Sequence, residues 1–122
     1  MSSRLATVGA VLGFLAIALG AFGAHALADT LGPHNETWQT AARYQLIHAV
    51  ALLVIAALLE RIATRAITVA GWLFVVGTTL FSGSLYLLVL TGQHLWGAVT
   101  PFGGALLMTG WLCLAVGFSR RG

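Results

Sequence analysis

Between Arg65 and Arg120 the chain runs for 54 residues, Ala66 to Ser119, without one Asp, Glu, Lys or Arg. A water-soluble fold cannot hide that much uncharged backbone in so short a chain, so the solvent implied is lipid. Roughly 20 helical residues cross the hydrocarbon core of a bilayer. The run is therefore too long for one span and the right length for two. It breaks at Thr91 to Pro101, TGQHLWGAVTP, which collects glycine and polar groups and ends on a proline. This predicts a third helix over about 66–90 and a fourth over about 98–118.

The N-terminal half divides the same way. Leu5 to Ala28 is 24 residues free of charge, between Arg4 and Asp29, enough to span with some tilt. Ala26-Leu27-Ala28 resembles a signal-peptidase site, but the apolar run exceeds the 7–15 residues of a typical signal h-region, which favours a retained helix over about 5–28. Asp29 to Asn35, DTLGPHN, reads as a loop, with Gly32-Pro33 breaking any helix and Asn35 a good N-cap. A second helix over about 36–62 would be about 40 Å long at the standard rise. Its first turns then reach the headgroup zone, with Trp38 as an interfacial anchor. The expected fold class is all-α: a single membrane domain, 1–122, built as a four-helix bundle.

Composition agrees and excludes much else. Hydrophobic residues are 59% and charged residues 7% of the chain, far below the roughly 25% charged of a soluble domain. The net charge of +3 comes from arginines that are single or in one pair, with no basic stripe interleaved with aromatics, so nucleic acid is not an expected partner. Cys113 stands alone, which leaves no disulfide framework and reads as a small buried hydrophobe. With four spans, Arg4, Arg61, Arg65, Arg120 and Arg121 share one side and Arg43 the other. The positive-inside rule then places both termini in the cytoplasm.

Two stripes of small residues are visible. Ala6, Gly9, Gly13, Ala16, Gly20 and Gly23 recur at intervals of three and four, and Gly103, Gly110 and Gly117 at intervals of seven. Lipid offers no hydrophobic reward for helix association, so close backbone approach along such stripes is how membrane helices gain packing energy. The neighbour approached is either another helix of this chain or a second copy.

The polar residues are not evenly spread. His25, Tyr44, Gln45, His48, Ser82, Ser84, Tyr86 and Thr100 all fall in the half of the spans that faces the exterior, and the inner half has no comparable set. On the second helix Thr37, Thr40, Tyr44 and His48 are spaced to share a face, bordered by Gln45. Arg43 sits near a helix N-terminus, where its charge is disfavoured by the dipole and wants a lipid phosphate, Glu36 or Asp29. Two readings of His25 and His48 stand. They are neutral imidazoles that fix helix register, or they belong to a ligand, proton or ion site, since ionisable groups at membrane depth are costly and often functional. A bis-histidine haem lacks any supporting signal, and zinc lacks further ligands at this level. His34 and His94 read as solvated loop residues. No GxSxG, HExxH, P-loop or paired carboxylates occur, so no catalytic residue, metal or cofactor is assigned. The lack of an inverted repeat weakens a transporter reading.

GAFGAHAL (20–27), TAARYQLIHAVALL (40–53), GTTLFSGSLYLLVLTG (77–92) and TPFGGALLMTGWLCLA (100–115) resemble, in order and spacing, the small bacterial inner-membrane family catalogued as domain of unknown function 423, whose eukaryotic relatives include transmembrane protein 256. Its pattern of Tyr-Gln, two variable residues and His is matched by Tyr44, Gln45 and His48. The resemblance implies a four-helix inner-membrane protein and carries no biochemical activity with it. The expectation is a non-enzymatic accessory or assembly component whose partners are the bilayer and a second copy or another membrane protein. The alternative is a small oligomeric channel or transporter, with the polar layer lining an outer vestibule.

Overall fold

The computed structural model describes residues 1–120; Arg121, counted above for topology, lies outside the described residues. Five helices follow in order: α1 (Ser2–Ala24), α2 (Ala28–Leu31), α3 (Asn35–Leu59), α4 (Arg65–Thr91) and α5 (Leu95–Ser119), with a 3-10 turn at Gly32–His34. Of these, α1, α3, α4 and α5 are long and apolar enough to cross a membrane. The chain is an all-α bundle.

Element ends depart from expectation in informative ways. The α1 helix stops at Ala24 rather than Ala28, because His25 leaves helical geometry at φ −120°, ψ −78°. The connection expected as a loop is instead coiled into α2 and the 3-10 turn, so its backbone groups bond locally (Leu31 N to Leu27 O, 2.8 Å). At the edge of a bilayer an unpaired N–H is expensive, and coiling avoids it. Gly32, at φ +50°, makes the kink between the two pieces, a conformation that a side chain would resist. Asn35 does not cap its own helix: its Nδ2 donates to Gly23 O at the end of α1, 2.8 Å away. The α3 helix ends three residues early, and Thr64 caps α4 by accepting from Ile67 N at 3.3 Å. The α5 helix begins three residues early, at Leu95, and carries Pro101 inside it.

The helices pack in sequence order, α1 on α3, α3 on α4 and α4 on α5, and α1 and α5 share no packed interface. The bundle is thus an open row with α1 and α5 at its edges. Their most apolar windows are only 17% buried, against 39% for the span ending in α3 and 28% for α4. Most of the closely packed glycines serve the two outer interfaces, while Gly71 of α4 lies against Leu5 of α1 and Ile55 of α3. A Cβ at Gly9 would stand 3.0 Å from Ala49 O and Leu52 Cβ, and one at Gly103 would collide with the Phe81 backbone. Gly13, Gly20 and Gly23 likewise face α3, and Gly110 and Gly117 face α4. Small residues therefore seat α1 on α3 and α5 on α4, where backbones touch and dispersion replaces the missing hydrophobic drive. The middle of the row is filled by Leu5, Leu52, Ile55, Ile67 and Phe74, all under 2% exposed.

Candidate functional site

The polar side chains form a chain of pairwise bridges between neighbouring helices. Gln45, 4% exposed, is the hub. Its Nε2 donates to Leu12 O of α1 at 2.8 Å, and its Oε1 accepts from the Tyr86 hydroxyl of α4 at 2.8 Å. One side chain of α3 thereby ties three helices. Ser82 Oγ donates to Ala41 O at 2.7 Å, a second α3–α4 tie. Ser84 bonds Thr100 Oγ1 and so links α4 to α5. Nearer the end that carries the α1–α3 connection, Trp38 Nε1 donates to Leu19 O at 2.7 Å and Gln39 Nε2 to Gly20 O at 2.9 Å.

His48 bridges two helices that are not neighbours in the row, α3 and α5. Its Nδ1 lies 2.8 Å from Tyr44 O, and Trp111 Nε1 of α5 lies 3.1 Å from its Nε2. An indole nitrogen can only donate. Nε2 must then be the bare acceptor and Nδ1 the protonated donor, which defines a neutral Nδ1–H tautomer with both nitrogens occupied. The imidazole is also held edge-on to Phe74 and Trp111, with ring centroids 5.0 and 5.8 Å away. Such a histidine has no lone pair left for a metal or haem iron. Among the described residues no group of three or more His, Cys, Asp or Glu could hold a metal ion.

Several residues stand elsewhere than expected. His25 lies on the exposed rim at the end of α1, beside Ala18, Ala21 and Phe22, apart from His48. The contribution of α1 is instead its backbone carbonyls, which the Gly20 and Gly23 region leaves uncovered. Arg43 is exposed. Tyr44 is 42% exposed and lies against Phe81, ring centroids 5.1 Å apart, so it does not share the buried face with His48. The helix spacing is right, but α3 is packed on both sides, by α1 and α4, so its buried stripe centres on Ala41, Gln45 and Leu52 rather than on Thr40 and Tyr44. Thr40 turns to its own backbone at Glu36 O, 3.0 Å. Trp38 is no interfacial anchor: it is 3% exposed and packs edge-on against Tyr86 at 4.8 Å.

Trp111, Gln39 and Asn35 were not anticipated in the layer. The readable signal for Trp111 was its chemistry, since an indole N–H at membrane depth must find an acceptor. Thr78, 2% exposed, is the one buried side-chain polar group without a partner among the described residues.

The family described as protein of unknown function DUF423 matches residues 19–104. The UPF0382 membrane protein YwdK of Bacillus subtilis is 40% identical over 111 residues, covering 89% of this chain and 90% of the relative. The UPF0382 inner membrane protein YgdD of Escherichia coli K12 is 41% identical over 122 residues, covering 98% and 93%. A UPF0382 membrane protein of Staphylococcus epidermidis is 43% identical over 110 residues, covering 89% of each. No solved structure matches the chain.

Proposed function

We propose that this chain, which belongs to the DUF423 family, is a non-enzymatic accessory or assembly component of the bacterial inner membrane, with its polar layer acting as a lock on helix register. The observation that supports this reading is that Gln45, His48, Ser82, Ser84 and Tyr86 each bond within the chain, mostly to a neighbouring helix. A ligand or ion site needs polar groups held in reserve, and these are committed. Open rows of helices leave broad apolar flanks, and α1 and α5 offer them to lipid and to a membrane-protein partner or second copy. Residues 1–122 act as one domain, with the arginine-rich end and both termini in the cytoplasm and the polar layer toward the exterior.

The test separates abundance from transport. Gln45→Leu and His48→Ala are expected to lower the amount of membrane-inserted, protease-resistant protein while proteoliposomes of the wild type pass no protons or small ions. A wild-type flux that His48→Ala abolishes at unchanged abundance would overturn the proposal in favour of a channel or transporter.

A further inference from the structure

The open row leaves a groove between α3 and α5. Ile47, Val50, Val54 and Leu58 line it on one side and Leu114 and Phe118 on the other, around a volume of about 310 Å³. Its mid-membrane end is closed by Trp111, whose only polar atom is spent on His48. From Ile47 to Leu58 is about 16 Å along a helix at the standard rise. One leaflet of hydrocarbon is about 15 Å, half the usual core. The groove is therefore about as long as one leaflet is deep.

Its open end is cationic. Beyond Leu58 the backbone keeps turning, with Arg61 N bonded to Leu58 O at 2.9 Å, so Arg61 continues the path of α3. Arg120 N bonds to Val116 O at 3.0 Å and continues α5 to the same membrane end, but two residues on from Phe118 it stands on the face of α5 turned away from the groove. Gly117 lies against Ala66 and Ile67, which brings Arg65 at the start of α4 to this same end. The carboxylate nearest in sequence, Glu60, is turned the other way. It accepts from Ser2 Oγ of α1 at 2.7 Å and lines the separate cleft between α1 and α3. An acyl-length apolar slot with Arg61 at its mouth, and with the neighbouring carboxylate held elsewhere, is complementary to one kind of molecule.

We infer that the α3–α5 groove binds an anionic phospholipid, one acyl chain lying along Val50, Val54 and Leu58 and the phosphate meeting Arg61, which follows them on the same stripe of α3. Trp111 sets the depth to which the chain inserts.

The full-length purified protein is titrated with phosphatidylglycerol and with phosphatidylcholine of identical acyl chains, and bound lipid is counted by native mass spectrometry. One phosphatidylglycerol per chain is expected, held in preference to phosphatidylcholine. Arg61→Gln should weaken it about fivefold, the usual worth of a basic residue near an anionic surface, whereas Arg120→Gln, on the far face of α5, should change it little. Val54→Trp, which fills the groove from a position already 53% exposed to lipid, should abolish retention, while Val11→Trp on the lipid face of α1 should not. Val50→Trp, also 53% exposed, is a second blocking variant should the first fold poorly. Equal retention of both lipids overturns the proposal. So does a phosphatidylglycerol preference that survives both blocking variants, since that assigns binding to the arginines alone. A stable homodimer that excludes lipid and is broken by Val54→Trp would assign the groove to a second copy, and also overturns it.

Discussion

Replacing Gln45 by Leu tests the register lock at its hub. Leu is one methylene shorter than Gln but of comparable volume, so the loss is mainly of two hydrogen bonds, to Leu12 O and from Tyr86. Leu12 O is already within a helix and loses only its second bond. The Tyr86 hydroxyl loses its sole partner. Interhelical hydrogen bonds in membranes average about 0.6 kcal/mol and reach about 1.7. A buried hydroxyl left unpaired costs about 1–3 kcal/mol. Gln45→Leu is therefore expected to destabilise by about 2–3 kcal/mol, measured by reversible unfolding in mixed detergent and SDS micelles. Tyr86→Phe alone should cost about 1 kcal/mol. If the two groups bond each other, the double variant should cost about 1 kcal/mol less than the sum, since removing both partners leaves no orphan. Additivity to within about 0.3 kcal/mol would refute a direct Gln45–Tyr86 bond and, with it, the tie between α3 and α4 at this level.

Trp111→Phe keeps the contact with Phe74 but removes the donor to His48, so nitrogen NMR should show a single Nδ1–H tautomer in the wild type and a mixture in the variant; a mixture in both would refute the assignment. Gly103→Ala should destabilise markedly, because its methyl meets the Phe81 backbone, whereas Gly83→Ala, with open space around it, should be neutral or stabilising by up to about 1 kcal/mol from helix propensity. Equal effects would show that backbone contact does not seat α5 on α4. In a Cys113→Ala background, a cysteine placed by Thr30→Cys should react with a membrane-impermeant thiol reagent on intact cells and one placed by Ser119→Cys should not; the reverse pattern inverts the topology.

The polar layer shows why partial legibility is the rule here. Its composition could be read from the chain, because polar residues in apolar spans stand out individually. Its pairing could not. Gln45 and Tyr86 are 41 residues apart, and nothing in either segment specifies the other. Where α1 contributes backbone carbonyls to Asn35, Trp38, Gln39 and Gln45, there is no side chain to notice at all. His25, conspicuous as an ionisable residue near a span, proved to be a helix terminus.

What the sequence by itself determined is the class of fold: an uncharged stretch of 54 residues has no stable place except in lipid, and lipid admits only helices or closed barrels. The number of spans follows from the rise of a helix and the thickness of a bilayer. What only tertiary structure decided is the order of packing and, through it, the faces. Gly9 and Gly103 are small in any arrangement, but only the open row α1–α3–α4–α5 turns them against Leu52 and Phe81 and leaves a groove between α3 and α5. The physical reason is that lipid does not distinguish one apolar face from another. Which faces meet is settled by the fit of backbones and by hydrogen bonds between distant residues, and both exist only once the helices are together.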